Sequence, residues 1–203
     1  MEGSSIHFFK YGKTEIDYLS AKDELLGQAI KDIGIIEREV HPDLFTALIR
    51  NIVSQQIAKK AAVTVWGRMC DLLTEVTPEK IEATDVSAIQ KCGMSMRKAG
   101  YIKSAAKALV SGEIDLKCFP EMTDEQIIKV LSSLPGIGIW TAEMLLLFSL
   151  QRPDVLSWND LALKRGVKNL YGLEKLTKAQ FEEYRKRYSP YGSVASLYLW
   201  ELS

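Results

Sequence analysis

Apolar residues recur every three or four positions along almost the whole chain, and strict alternation of apolar and polar residues is rare. This spacing is typical of amphipathic helices, whereas alternation would indicate half-buried strands. The pattern predicts helices over residues 17–32, 43–54, 57–74, 95–110, 124–133, 139–150, 160–170, 177–188 and 192–202. Short turns are predicted over 78–91, and residues 6–9 are predicted to be extended but too short for a sheet. The predicted fold class is therefore all-α.

The chain has 203 residues, 47% of them hydrophobic, which is enough to bury an ordinary core in one domain or two small lobes. No apolar run approaches the roughly 20 residues of a membrane span, and the first five residues do not resemble a secretory signal. The three cysteines, Cys70, Cys92 and Cys118, are widely spaced, which favours reduced thiols. We expect an intracellular protein without membrane association, cytoplasmic or nucleoid-associated, or nuclear in a eukaryote.

The formal net charge is zero, but the charges are unevenly distributed. Residues 1–45 carry nine acids and five bases, whereas residues 46–70 and 86–112 carry bases only. Residues 164–187 hold eight bases and three acids. Basic stretches of this kind can form a positive face that binds nucleic acid, although they are equally typical of solvated helix surfaces.

Residues 134–142 read Leu-Pro-Gly-Ile-Gly-Ile-Trp-Thr-Ala and separate two predicted helices. The two glycines, Gly136 and Gly138, permit backbone angles that other residues avoid. They also leave the amide N–H groups at the start of the second helix accessible to a phosphate, which the helix dipole attracts. The segment predicts a helix–hairpin–helix that binds a nucleic-acid backbone, although a Gly-x-Gly turn between helices is common.

Asp160 follows Trp140 by twenty residues and begins the next predicted helix, where an aspartate commonly serves as an N-cap. Taken together, the hairpin string and this aspartate resemble the helix-hairpin-helix superfamily of DNA base-excision glycosylases. The 3-methyladenine DNA glycosylase II branch is the most similar. The resemblance extends from about residue 41 to the end of the chain. The chain is too short for the complete N-terminal β-domain of many relatives, and it lacks the cysteine cluster of those that bind an iron–sulfur cluster.

The resemblance implies an all-α fold of two helical lobes with a cleft between them. Residues 40–150 would form the central lobe that contains the hairpin, and residues 1–39 together with 151–203 would form the second lobe. The implied partner is double-stranded DNA containing damaged bases, bound by a monomer. No metal site is expected, because His7 and His41 are isolated, but the carbonyl groups around the hairpin glycines can hold a monovalent cation in this family.

By the same resemblance, Asp160 is the catalytic carboxylate, which would stabilise positive charge on the sugar and orient the attacking water. Asn159 stands where relatives often have a second acid. Trp140 stands where bifunctional relatives have a lysine nucleophile, so the resemblance implies base release without lyase activity. Lys164, one helical turn from Asp160, is an alternative amine, but we expect it to pair with an acid or a phosphate.

The resemblance places four residues in the base pocket: Trp140, Met144, Leu161 and Trp200. An indole face attracts a cationic alkylated purine by roughly 0.5–2 kcal/mol. Aromatic residues occupy the Met144 and Leu161 positions in some relatives, which leaves the range of substrates open. Either tryptophan alone would more commonly be a core residue.

The resemblance also implies a set of DNA-binding residues: Gln55, Gln56, Gly136, Gly138, Thr141 and Lys164. Gln56 would fill the space left by the flipped nucleotide and hydrogen-bond the orphaned base, whereas Gln55 is expected to brace the turn. A departure occurs at Gly192, where relatives have arginine in a Pro-aromatic-Arg-Ser segment.

Three functions agree with these residues. The first is a monofunctional glycosylase for alkylated purines such as 3-methyladenine. The second is a glycosylase for oxidised or mismatched bases, which only the pocket distinguishes from the first. The third is a helix-hairpin-helix module that binds DNA without catalysis, which would need neither Asp160 nor the two tryptophans.

Overall fold

The computed structural model describes residues 6–203, and it confirms the all-α class. The helices are α1 (Lys13–Lys22), α2 (Glu24–Ile33), α3 (Leu44–Ser54), α4 (Lys59–Leu73), α5 (Pro78–Ala83), α6 (Val86–Lys91), α7 (Met96–Val110), α8 (Asp124–Ser132), α9 (Ile139–Phe148), α10 (Leu161–Tyr171), α11 (Lys178–Tyr188) and α12 (Gly192–Glu201). A 3₁₀ helix over Leu116–Glu121 lies between α7 and α8. Strands β1 (His7–Phe8) and β2 (Glu39–Val40) pair in antiparallel orientation.

The secondary structure differs from the prediction in several places. Residues 78–91, predicted to form short turns, contain helices α5 and α6, and the 3₁₀ helix over Leu116–Glu121 was not predicted. The helix predicted over 17–32 is interrupted at Asp23, which has extended backbone angles and accepts a hydrogen bond from Leu26 N at 2.9 Å. An aspartate readily leaves a helix in order to cap the next one, and the apolar periodicity does not register this. The segment predicted to be too short for a sheet does pair, because β2 supplies a partner some thirty residues further along the chain.

The chain divides into two compact units. The hairpin unit comprises residues 41–145, and the terminal unit comprises residues 6–40 together with 146–203. The boundary after residue 145 falls inside α9, five residues before the position 150 expected from the sequence. Within residues 6–203, no helix combines the length and the apolar character needed to cross a membrane.

The core of the hairpin unit forms around α3 and α7. Helices α4 and α7 pack on α3, and α5 and α6 pack on α7. Leu48, Ile49 and Ile52 of α3 are completely excluded from solvent, and burial of such apolar side chains is the main stabilising term in folding. This packing positions the end of α3, and the turn that follows it, beside the start of α7.

In the terminal unit, α12 is buried at eight consecutive positions from Gly192 to Leu199, because α1, α2, α10 and α11 all pack on it. Gly166 of α10 lies against this helix, and a Cβ there would be 1.9 Å from the carbonyl oxygen of Leu199. Only glycine permits so close an approach of two backbones. The contact sets the position of α10 and hence of Asp160, which directly precedes it.

A buried carboxylate connects α2 to α10 and α11. Asp23 Oδ2 accepts hydrogen bonds from Tyr171 Oη at 2.5 Å and from Arg187 Nη1 at 2.6 Å, and Tyr171 Oη is 2.6 Å from Tyr188 Oη. Burial alone would raise the pKa of Asp23, but the hydrogen bonds from Tyr171, Leu26 and Arg187 outweigh it and hold the pKa below the usual range. Burial raises the pKa of both tyrosines, so they remain neutral donors.

Candidate nucleic-acid interface and active site

The predicted hairpin lies between the end of α8 and the start of α9. Gly136 has a φ of +84°, and a Cβ at this position would be 2.2 Å from Cδ2 of Tyr101 in α7. A side chain is therefore excluded by both the backbone conformation and the packing of the hairpin on α7. The fold itself therefore requires glycine at position 136, independently of any bound DNA.

Gly138 differs from Gly136, because a Cβ there would meet no atom within 4 Å. Its carbonyl oxygen accepts the hydrogen bond from Ala142 N at 3.0 Å that begins the helical pattern of α9. The N–H groups of a first helical turn lack intrahelical partners and attract anions. Gly138 thus leaves open space at the positive end of a helix.

The turn after α3 is fastened to the hairpin. Gln55 Nε2 donates to the carbonyl oxygen of Gly136 at 2.8 Å, a bond that agrees with the expectation that Gln55 braces the turn. Lys98 Nζ donates to the carbonyl oxygens of Val53, at 2.9 Å, and of Gln55. Burial lowers the pKa of Lys98. Its role was missed by sequence reasoning, although it lies in one of the acid-free stretches.

Gln56 follows the brace and occupies the left-handed region, with a φ of +56°. Its side chain is exposed. A non-glycine residue in this conformation carries strain of order 1–3 kcal/mol and is held there by its surroundings. Gln55 and Lys98 provide that support, so the turn presents Gln56 to solvent from a fixed backbone.

Two cationic cavities lie beside this turn in the hairpin unit. A cavity of about 310 Å³ is lined by Gln55 and Gln56 and, from the start of α7, by Arg97 and Lys98. A second, of about 360 Å³ between α3 and α4, is lined by residues that include Arg50, Lys59 and Trp66. Arg50 lies over the Trp66 ring, 4.8 Å from its centroid. Cationic side chains from both basic stretches, residues 46–70 and 86–112, therefore line cavities beside this turn.

Three predicted site residues lie on α9. Trp140, in the first turn, is 42% exposed, whereas Met144 and Thr141 are buried. Trp140 therefore presents indole surface beside the hairpin. Because the side chain of Thr141 is buried, the group that this residue could offer to a phosphate is its backbone N–H.

Asp160 is the N-cap of α10, in the terminal unit, and its Oδ1 accepts a hydrogen bond from Leu163 N at 2.9 Å. The capping role is thus confirmed. The residue is only 7% exposed. A carboxylate has about four lone-pair sites, so Asp160 can accept the capping bond and other hydrogen bonds at the same time. A carboxylate in this position can act on positive charge that develops nearby.

The other predicted residues of the terminal unit have different surroundings. Leu161 is 72% exposed and lines a cavity of about 630 Å³ with Lys164, Arg165 and Lys168. Lys164 Nζ lies 4.7 Å from the centroid of the Trp158 ring, and its expected pairing with an acid or a phosphate stays a prediction. The Leu161 side chain therefore adjoins a basic surface.

The indole of Trp200 stacks on Phe148, with ring centroids 5.6 Å apart and an interplanar angle of 24°. The guanidinium carbon of Arg38 lies 6.0 Å from its ring centroid. Trp200 is thus held by an aromatic neighbour at the end of α12. Among residues 6–203, no group of three or more His, Cys, Asp or Glu side chains is placed to hold a metal ion.

The glycine that departs from the resembled pattern has a structural partner. Gly192 N donates to Asp154 Oδ1 at 2.9 Å, and a Cβ on Gly192 would lie 2.7 Å from the same oxygen. Ser189 Oγ donates to Asp154 Oδ2 at 2.6 Å. Asp154 thus occupies the space next to Gly192, a pairing that no local sequence pattern indicates.

Residues 49–190 match the family described as HhH-GPD superfamily base excision DNA repair protein. DNA-3-methyladenine glycosylase 1 of Schizosaccharomyces pombe is 35% identical over 202 residues, which cover 94% of this chain and 87% of the relative.

Solved structures agree with the match to the family. DNA-3-methyladenine glycosidase from Bacillus halodurans superposes with a TM-score of 0.87 at 35% identity, covering 96% of this chain and 91% of the other. The 3-methyladenine DNA glycosylase of Schizosaccharomyces pombe, solved in complex with abasic DNA, superposes with a TM-score of 0.78 at 32% identity. The overlap covers 93% of this chain and 96% of that one.

Proposed function

Since the chain belongs to the HhH-GPD superfamily of base excision DNA repair proteins, we propose that it is a monofunctional DNA glycosylase. It hydrolyses the N-glycosidic bond of alkylated purines, such as 3-methyladenine, in duplex DNA. The observation that carries the proposal is the buried carboxylate of Asp160 at the N-terminus of α10, in a chain whose hairpin and neighbouring turn are built to hold a DNA backbone. Double-stranded DNA that contains damaged bases is the proposed partner.

In the proposed reaction the protein first binds the backbone without reading sequence. The N–H groups at the start of α9 donate hydrogen bonds to a phosphate next to Gly138, and the cations of the two cavities beside the turn neutralise other phosphates. Gln56 enters the duplex and occupies the space of the flipped nucleotide. Its strained, exposed conformation supports this role, because the flanking turn is held by Gln55 and Lys98.

The chemical step depends on stabilisation of the positive charge that develops on the sugar. As the bond to the base breaks, positive charge develops on the sugar, and the Asp160 carboxylate stabilises it and orients the water that attacks C1′. An alkylated purine carries a positive charge and leaves readily. The exposed indole of Trp140 and that of Trp200 are the proposed surfaces for this base, with Met144 and Leu161 shaping its surroundings.

Absence of lyase activity is part of the proposal. Trp140 cannot form a Schiff base, and Lys164, the nearest alternative along α10, has its ammonium over the Trp158 ring. The product is then an intact strand with an abasic site.

A monovalent cation at the hairpin also fits the donors present. The carbonyl oxygens of Gly136 and Gly138 each accept one hydrogen bond, from Gln55 Nε2 and Ala142 N, and each keeps a second lone pair. When bound, a cation there would add positive charge next to the phosphate. The monomer is the proposed state, located with the DNA in the nucleoid or nucleus.

The proposal is tested by incubating the protein with methylated DNA and with oligonucleotides that carry one lesion each, followed by identification of the released bases. Release of 3-methyladenine without strand cleavage is expected. Release confined to oxidised or mismatched bases would show that these bases, and not alkylated purines, are the substrates. Strand cleavage would contradict the monofunctional assignment. Binding without release of any base would leave only the non-catalytic DNA-binding function.

A further inference from the structure

The loop between α9 and α10 ends at Asp160, and its backbone is hydrogen-bonded to the last two helices of the chain. All these bonds come from the segment 185–196. The bonds are Ser193 Oγ to Arg152 O, Ser193 N to Pro153 O (3.0 Å), Val155 N to Ser193 Oγ (2.9 Å), Ser196 Oγ to Val155 O (2.8 Å) and Arg185 Nη2 to Leu156 O.

Ser193 is central to this arrangement. It is completely buried, and its hydroxyl donates to the carbonyl of Arg152 while accepting from the amide of Val155. One side chain thus bridges two loop positions three residues apart. Its own backbone N–H adds a third bond, to Pro153. Few changes in the path of the loop would preserve all three bonds.

The loop also bonds back to the same segment through a side chain. Asp154 accepts hydrogen bonds from Ser189 Oγ at 2.6 Å and from Gly192 N at 2.9 Å. Ser196, one helical turn after Gly192 and also fully buried, shares its hydroxyl proton between the carbonyl oxygens of Val155 at 2.8 Å and Gly192 at 2.9 Å. Every residue from 152 to 156 is therefore tied to the same segment.

Buried backbone groups must be hydrogen-bonded, so some partners are required for stability alone. Arg152 N bonds back to Leu146 O of α9 at 2.9 Å, whereas the five bonds given above all go to one segment, which couples the path of the loop to α12. Asp160 lies four residues beyond the last bonded position, and its amide closes a turn onto Ser157 O at 3.3 Å. A catalytic group must be held within about 0.5 Å of its productive position, and a 1 Å displacement can cost about 100-fold in rate.

We infer that Ser193 and Ser196 are positioning residues, which act through the loop to fix the Asp160 carboxylate for glycosidic hydrolysis. The inference rests on the proposed glycosylase function. The proposed function includes no contact between either serine and the DNA or the base. Their removal is expected to slow chemistry while leaving the bound complexes equally stable.

The test compares Ser193→Ala and Ser196→Ala with Tyr198→Phe. Tyr198 is a matched control, since it is a fully buried hydroxyl on the same helix that donates to a backbone carbonyl, Gly34 O at 3.0 Å, away from the loop. Measurements are the single-turnover rate of base release at saturating protein, the Kd for an abasic duplex, and the Tm.

We expect a rate about 10- to 100-fold lower for Ser193→Ala, a smaller loss for Ser196→Ala, and Kd values within about twofold of the wild type. Tyr198→Phe should lower the Tm by a similar amount yet keep the wild-type rate. Equal rates for the serine variants and Tyr198→Phe, or a loss of rate that only follows a loss of DNA binding, would overturn the positioning role. If Ser193→Ala does not fold, Ser196→Ala decides. A wild-type protein that releases no base would instead refute the proposed function.

Discussion

Gln55 Nε2 donates a hydrogen bond to the carbonyl oxygen of Gly136 at 2.8 Å, across 81 positions of sequence. This bond joins the two parts of the hairpin unit that the proposed function assigns to DNA: the turn that presents Gln56, and the hairpin that receives a phosphate. The two glutamines are adjacent but have different surroundings, since Gln55 is partly buried and Gln56 is exposed. Their substitutions should therefore have different consequences.

Gln55→Leu should weaken binding to damaged and undamaged duplexes alike, because it leaves the Gly136 carbonyl without this partner and loosens the hairpin. An unsatisfied acceptor costs about 1–3 kcal/mol when it is fully buried; this one is partly buried, so we expect a smaller loss that appears as a severalfold increase in Kd. Gln56→Ala is the matched variant, expected to lower base release more than binding of undamaged DNA. The same effects from both variants would contradict separate roles.

Gly138→Val should fold normally and bind every duplex more weakly, since a Cβ at this position has no protein atom within 4 Å and the added side chain blocks the approach of a phosphate. Gly136→Val should instead lower the Tm markedly, because of its φ of +84° and the contact with Tyr101. Thermal unfolding and fluorescence anisotropy with a labelled duplex measure the two effects. Unchanged affinity in a folded Gly138→Val protein would remove the hairpin from its proposed role.

Binding to DNA should depend strongly on salt and little on flanking sequence, because amide groups and lysine or arginine side chains contact phosphates rather than base edges. Neutralisation of about three to five phosphates gives a slope of roughly −3 to −5 in a plot of log K against log salt concentration. Anisotropy at several salt concentrations, with duplexes of unrelated sequence, measures the slope. A flat response would contradict the proposed interface.

Asp160→Asn should reduce base release by a factor on the order of 100 or more while leaving the fold and DNA binding largely unchanged. Asparagine caps a helix about as well as aspartate, so the bond from Leu163 N is retained. Asp160→Ala serves as the control for capping, with an additional loss of about 1 kcal/mol in unfolding free energy. Near-normal excision by the folded Asp160→Asn protein would refute the catalytic assignment.

Asp23→Asn should lower the free energy of unfolding at pH 7 by about 1–3 kcal/mol, because the carboxylate that Arg187 and Tyr171 bond is lost. The native pKa of Asp23 lies below the usual aspartate value of about 4. Its contribution is therefore present above that value and is lost as the pH falls through the native pKa. In urea unfolding between pH 7 and pH 3, the free energy of unfolding should fall less for the variant than for the wild type. An equal fall for both proteins would contradict the stabilising role of Asp23.

Local features were predictable from the sequence by itself. The helices, the hairpin between α8 and α9, and the position of Asp160 at a helix start depend on residues within a few positions of one another. Periodicity, glycine and capping chemistry act over that range. The resemblance that these residues carry was also sufficient to indicate the family, because its hairpin string and the aspartate twenty residues later are local patterns.

Other features were decided only by the tertiary structure. Pairing of β1 with β2, the packing of Tyr101 against Gly136, and the bonds from Ser193 to the loop before Asp160 join residues far apart in sequence. In α12 the eight consecutive buried positions, which include serine and glycine, show no amphipathic pattern. Burial there depends on four helices that surround α12, and a contact of this kind exists only once the chain has folded and distant segments have been brought within hydrogen-bonding distance.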